Sequence, residues 1–375
     1  MIRYFIVLSF ICIPLIVQAE KNPDSLKLKF TGEFLFRFEQ DWNSRKSDGT
    51  FRTDRSRWRY RGRIGMVFNY NPVINIGLGL RTGKLNKQQD PQITIGDASG
   101  EFSNIPISFE KLYFQYKTEK FDLWLGKNTW PFRKLNELFW SDNVYPDGMY
   151  LAYTLHKGDD ILTKLEFKSA YFIMNSVGGA LNEDSNMVGF QFDASLLNER
   201  LKFFPSLYLF NNMDDIPDGA ATQSLEYSIV HIGSTFNLIP KYKIHVDADL
   251  YFNLSDYSHL ENIYSDQTNG MVLALRYGQL KNKGDKSLRV TYTRLERFSA
   301  VDYLAQNDWV RWDYSQFNSP DGRLTNYQGW ELMLGFMIND QLKINTRAFI
   351  VEQLLSETEF LETGTRIRLD LDMKF

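Results

Sequence analysis

Thr365-Arg366-Ile367-Arg368-Leu369-Asp370-Leu371-Asp372-Met373-Lys374-Phe375 decides the fold. Ile367, Leu369, Leu371, Met373 and Phe375 fall on one set of alternate positions, and Arg366, Arg368, Asp370, Asp372 and Lys374 on the other. Only the two-residue repeat of a β-strand sorts residues this way, because the 3.6-residue helical repeat would mix the two sets. The same alternation runs over 28–39, where Leu28, Phe30, Phe34, Phe36 and Phe38 oppose Lys27, Lys29, Glu33, Arg37 and Glu39. It returns over 243–254, where Ile244, Val246, Ala248, Leu250, Phe252 and Leu254 oppose Lys243, His245, Asp247, Asp249 and Asn253.

Sixteen segments of this kind follow one another: 28–39, 55–70, 73–83, 107–117, 121–126, 148–156, 164–175, 186–194, 201–210, 224–237, 243–254, 269–278, 287–297, 327–338, 341–352 and 364–375. Two are weak, 201–210 because Pro205 interrupts it and 224–237 because its faces are mixed. Short connections carry turn residues, as at Asn71-Pro72, Thr118-Glu119-Lys120 and Asn339-Asp340. Between them lie the long ones: 40–54, 84–106, 127–147, 176–185, 211–223, 255–268, 298–326 and 353–363. This regular exchange of short turn and long loop is the organisation of an all-β, antiparallel, up-and-down transmembrane barrel of sixteen strands, with short periplasmic turns and long extracellular loops. A soluble β-sandwich also alternates, but its connections need not, and its outward face is polar. A strand of about ten residues suits a tilted span, and a closed barrel leaves no unpaired edge in lipid.

Composition looks soluble until it is divided this way. The 375 residues carry 43 Lys+Arg against 46 Asp+Glu, a net charge of −3, with no global pull toward nucleic acid. Aromatics reach 15 %, which excludes intrinsic disorder. Met1-Ile2-Arg3, the apolar run to Val17 and the small residue Ala19 read as a cleaved secretory signal over 1–19, leaving 20–375 as a single barrel domain. The one cysteine, Cys12, falls within that segment, so no disulfide framework is expected.

Three loose motifs resemble a family of bacterial outer-membrane porins. They are Asp54-Arg55-Ser56-Arg57-Trp58-Arg59-Tyr60-Arg61-Gly62-Arg63 with Leu78-Gly79-Leu80-Arg81, Leu125-Gly126-Lys127 through Trp140-Ser141-Asp142-Asn143 to Pro146-Asp147-Gly148, and Asn326-Tyr327-Gln328-Gly329-Trp330. The resemblance covers essentially all of 20–375 and implies a channel in the bacterial outer membrane. General porin architecture adds a homotrimer to that expectation. Phe375, with alternate apolar residues before it, is similar to the signal that such proteins present to the barrel-assembly machinery. Outer-membrane lipid and lipopolysaccharide would be its surroundings.

The second segment carries the chemistry. Trp58, Tyr60, Ile64, Met66, Phe68 and Tyr70 would face lipid, and Arg55, Arg57, Arg59, Arg61 and Arg63 the lumen, because a charge on the lipid face costs about 2–4 kcal/mol at mid-depth. The tight turn that follows sets Arg81 opposite Arg61 or Arg63, a like-charge pair that needs compensation. Carboxylates or anions in transit could supply it. Arg55 and Arg57 at the rim could instead meet lipopolysaccharide phosphates, and a polar lumen wall needs no special role. The candidate counter-charges are Asp247 and Asp249 on the opposite wall, and Glu137, Asp142 and Asp147 in the loop 127–147. That loop, rich in Trp130, Phe132, Phe139 and Trp140, either folds into the lumen as a constriction or caps it from outside.

No catalytic constellation emerges. Of His156, His231, His245 and His259, His156 lies at a short turn and His259 in a loop, while His245 points inward beside Asp247 with no serine placed as nucleophile. The expectation is therefore a non-enzymatic, cofactor-free porin passing small polar solutes and ions. The alternatives are an anion-selective channel for phosphate- or carboxylate-type solutes, whose oxyanions arginine binds bidentately, and a plugged structural or adhesin barrel.

Overall fold

The computed structural model describes residues 27–85, 88–96, 104–158, 161–176, 178–180, 183–215, 223–260, 262–309 and 322–375. The expected signal segment 1–19 lies outside them. The chain forms a closed antiparallel barrel of sixteen strands. In order these are β1 (Lys27–Trp42), β2 (Arg55–Asn69), β3 (Ile74–Thr82), β4 (Ile107–Lys117), β5 (Phe121–Lys127), β6 (Asp147–Lys157), β7 (Leu162–Asn175) and β8 (Ser185–Leu196). The second half comprises β9 (Leu201–Asp214), β10 (Ser224–Ile239), β11 (Ile244–Asn253), β12 (Asn269–Gly278), β13 (Lys286–Leu295), β14 (Tyr327–Met337), β15 (Leu342–Gln353) and β16 (Thr363–Lys374). Every strand pairs with its sequence neighbour, and β1 closes on β16. A two-residue strand, Ile93–Thr94, covers the upper part of β2 where β3 has ended.

Alternation sorts the surface as the sequence demands. Phe30, Ile64, Ile107, Phe109 and Ile350 are each at least 60 % exposed, in a belt of apolar residues that circles the barrel. Arg59, Arg81, Asp249, Arg366 and Arg368, from inward positions of β2, β3, β11 and β16, are buried inside. An exposed apolar belt of this extent marks a membrane-facing surface. The two weak segments are full strands. In β9, Pro205 pairs with Ile232 of β10 while the ladder to β8 skips from Phe203 to Ser206, so the missing N–H falls at a gap.

The β1–β16 seam ends on a reciprocal pair, Gly32 N–H to Phe375 O at 2.7 Å and Phe375 N–H to Gly32 O at 3.0 Å. A Cβ on Gly32 would overlap the Phe375 ring, which lies across it. Gly32→Val is therefore expected to displace that ring at a cost of about 1–3 kcal/mol, the usual range for overpacking. Urea titration of the folded barrel in detergent checks this, and an unchanged midpoint with unchanged slope would contradict it.

Candidate functional site

Arginines of β2 meet acids from β1 beside them, from the connection after β3 and from β4. Arg55 Nη2 lies 2.6 Å from Asp41 Oδ2, and Arg57 Nε donates to Glu39 Oε2 at 2.7 Å. Arg59 Nη2 reaches Asp90 Oδ1 at 2.5 Å, and its Nη1 is 3.5 Å from Glu39 Oε1. Arg61 pairs with Glu33. Arg63 Nε donates to Glu110 Oε2 at 3.0 Å. On the other side of β1, Arg37 Nε holds Asp370 Oδ1 at 2.7 Å and Arg366 Nε holds Asp41 Oδ1 at 2.6 Å. The wall from β15 through β2 is thus a checkerboard of charge, built by registering the inward positions of adjacent strands. Opposite charges across a ladder stabilise it, as like charges would not.

Like charges also register across these ladders: Arg37 with Arg59, which share the Glu39 carboxylate, and Arg347 with Arg368, which share that of Asp308. Arg63 registers with Arg81, and a bulge in β4 relieves that pair. Pairing with β3 shifts between Gly79 and Leu80, so Glu110 and Lys111 both turn inward. Glu110 thereby sits under Arg63, while Arg81 Nη1 donates to Gln88 O at 3.1 Å.

The acids expected to face the row have other partners. Asp249 takes His231 Nε2 at 2.7 Å and Asn136 Nδ2 at 2.5 Å, both from nearby, and Asp247 takes Thr235 and Arg276. Glu137 accepts the Asp142 N–H at 2.9 Å, Asp142 pairs with Lys134 at 2.6 Å, and Asp147 pairs with Lys127 at 2.5 Å at the mouth of β6. Among the described residues, the counter-charges to the arginine row come from β1, the β4 bulge and Asp90. The cause is distance: an adjacent strand lies within side-chain reach, about 5 Å away, whereas the far wall does not.

The loop between β5 and β6 folds into the lumen. Phe132, Leu138, Phe139 and Trp140 are buried, Trp140 completely. Trp130 stacks on Trp140 with centroids 4.0 Å apart, and Phe139 stacks on Tyr251 of β11 at 5.1 Å. Arg133 Nε ties the loop to Asp193 of β8 at 2.7 Å, and Arg289 Nη2 of β13 donates to Leu135 O at 3.1 Å. On the return, Asn143 Oδ1 accepts from Arg63 Nη2 at 2.9 Å. The loop therefore fills the half of the lumen lined by β6 to β11 and leaves its polar side toward the charged wall.

Two further connections join it there. Gln306 N–H donates to Glu137 O at 2.9 Å and Ser141 N–H to Leu304 O at 2.8 Å, which binds it to the connection between β13 and β14. Tyr145 N–H donates to Gln88 Oε1 at 2.9 Å, which binds it to the connection after β3. Two polar cavities flank this junction. The outer one, about 90 Å³, is lined by Arg55, Arg57, Arg59, Asp90, Asp308 and Arg366 among others. The inner one, about 270 Å³, takes in Lys134, Glu137, Arg289, Trp309, Glu331 and Arg347.

Charge states in these loops follow from burial and neighbours. Burial and the Asp142 carboxylate raise the Glu137 carboxyl above the ordinary range, against the pull of Lys134. Asp308 is also opposed by burial, but Arg368, Arg347 and Arg37 outweigh it and hold its carboxyl well below the ordinary range. Burial pushes the Tyr145 phenol up to about 12, despite the nearby Arg63.

Of the residues that build the wall, sequence reasoning missed the roles of Glu33, Glu39 and Asp41, although they share the inward face of β1. It also missed Glu110, whose signal is a phase change: Ile107 and Phe109 face out, then Leu112 and Phe114. Asp90 and Asp308 lie in loops with no periodicity to place them.

No family model and no curated protein matches the sequence. Solved structures do match the fold. OprB of Pseudomonas putida superposes with a TM-score of 0.57 at 12 % identity, over 93 % of this chain and 94 % of that one. OmpF of Salmonella typhi gives 0.56 at 11 %, over 93 % and 98 %. A porin of Rhodopseudomonas blastica gives 0.53 at 10 %, over 93 % and 100 %. The chain has the sixteen-strand barrel fold of bacterial outer-membrane porins.

Proposed function

We propose that this chain is an outer-membrane channel for passive diffusion of small polar solutes and ions, without catalysis or a resident cofactor. The observation that carries the proposal is a closed barrel with an apolar outer belt, enclosing a charged wall that faces two polar cavities. Outer-membrane lipid is the surrounding the belt suits. The fold shared with solved porins supports the same conclusion.

The lumen is narrow, because three connections meet in it. Ions and small solutes pass by exchanging water for wall groups, and the aromatic half repels nothing but leaves little room. Arginines Arg55, Arg57, Arg59, Arg61, Arg63 and Arg81 line one wall with acids interleaved. A wall so balanced gives weak selectivity, with anions favoured only where arginine outnumbers carboxylate.

Refolded protein in a planar bilayer is expected to give discrete conductance steps of small amplitude in potassium chloride. Swelling of liposomes in small sugars or amino acids, but not in large oligosaccharides, is expected in parallel. Folded barrel that inserts and passes no current defeats the proposal in favour of a plugged structural barrel.

A further inference from the structure

Gln306, Asn307, Asp308 and Trp309 form a partition between the two cavities: Asn307 and Asp308 line the outer one, Gln306 and Trp309 the inner. Its backbone is held by Arg366 of β16, whose Nη1 donates to Asp308 O at 2.9 Å and to Asn307 O at 3.3 Å. Three other arginines surround the Asp308 carboxylate. Arg347 Nη1 of β15 is 3.1 Å from Oδ2, Arg37 Nη1 of β1 is 3.8 Å from Oδ1, and Arg368 of β16 contacts Oδ1.

We propose that this three-arginine cradle is an oxyanion site which the chain fills with its own Asp308 side chain, and that a small carboxylate or phosphate in transit displaces it. The cradle belongs to the barrel wall and the occupant to a loop, so the two can part while the site persists. Wall acids already serve these arginines: Asp370 for Arg37 and Arg368, and Glu331 for Arg347. Glu39, 3.5 Å from Arg37, is shared with Arg57 and Arg59. Three guanidiniums with two dedicated acids leave one anion to be supplied, and Asp308 supplies it. Guanidinium forks suit planar or tetrahedral oxyanions, which accept two N–H bonds at once.

A tethered carboxylate also solves a transport problem. Three arginines at a narrow point would otherwise bind an oxyanion too tightly to let it go, and conduction needs sites that release. With Asp308 competing, an arriving anion exchanges with a carboxylate already present and leaves when that carboxylate returns. This inference deepens the channel proposal by naming small oxyanions as a solute class, and rests on it only for the meaning of displacement.

The test is chemical rescue of the Asp308→Ala barrel, folded in detergent, by sodium acetate and separately by sodium phosphate, at constant ionic strength against sodium chloride. Because Arg366 grips the backbone, truncation is expected to empty the cradle without moving the partition. The variant is expected to melt at a lower temperature than wild type and to regain the loss saturably with acetate, phosphate or both. The wild-type midpoint is expected to stay still over the same range. Buried Trp309 beside Tyr327 and Phe349 offers a fluorescence report of the same event. An alanine variant that responds to neither oxyanion more than to chloride overturns the proposal. If that variant does not fold, Asp308→Asn keeps the shape without the charge, and acetate or phosphate is expected to raise its midpoint saturably where wild type stays still; a response no greater than to chloride overturns the proposal. Rescue in a barrel that carries no current would leave the cradle standing and remove the channel. Current with no oxyanion response would do the reverse.

Discussion

Replacing Trp140 with alanine is expected to raise single-channel conductance several-fold while lowering barrel stability by about 3–5 kcal/mol, the usual cost of truncating a buried aromatic. Trp140 is completely buried and stacks on Trp130 at 4.0 Å, and its Nε1–H donates to Val144 O at 2.9 Å. It is thus the pin on which both limbs of the inward loop rest. Without it, a cavity opens between loop and wall, and the hydrogen bonds from Arg133, Arg289 and Arg63 must hold the loop against solvent. Those bonds are in or beside water and contribute about 1.5–3 kcal/mol each at most. Looser seating widens the passage beside the charged wall. Bilayer recordings give the first effect and urea titration the second. Conductance unchanged in a destabilised variant would show that the loop does not set the bore.

A second large effect is expected at Glu39. This carboxylate is 1 % exposed and meets Arg57 at 2.7 Å, with Arg59 and Arg37 each at 3.5 Å. Glu39→Ala leaves three guanidiniums facing one another without their shared acid. Breaking a buried pair from one side costs about 3–5 kcal/mol, because the remaining charge is left uncompensated. In a lumen, mobile anions offset part of that loss, so the same change is expected to move the reversal potential toward chloride in a potassium chloride gradient. Glu39→Gln should move it in the same direction with a smaller loss of stability. An unmoved reversal potential in both variants would mean that the wall does not govern selectivity.

Most of the fold was legible because a barrel in lipid has two surfaces and a period of two. The segments 28–39, 243–254 and 364–375 announce it, and the sixteen expected segments coincide with β1 to β16 to within a few residues. The register of Arg81 was legible as well, since the tight turn allowed only Arg61 or Arg63, and Arg63 is its partner. What was less legible is which charges meet. The odd residues of β1 were visibly charged, but pairing them with β2 requires the length of the connection 43–54, which periodicity does not give. Glu110 needed a bulge, and a bulge is one residue out of step in an otherwise ordinary strand. Asp308 needed a loop to fold back across the lumen, a choice made by tertiary contacts and not by local pattern.

The ion pairs at the seam also set an order of events. Arg37 and Asp370 are 333 residues apart in the chain, and Asp41 and Arg366 are 325 apart. Neither pair can form until the last strand has arrived, and loop closure over such a span is entropically the most expensive contact the chain makes. The charges of β1 are therefore only half-neutralised through most of assembly, by β2 alone. High contact order of this kind makes closure slow, so the final step is electrostatic as well as geometric: the barrel's first and last strands recognise each other by complementary charge, and a wrongly registered seam, one residue out, would turn those charges into lipid.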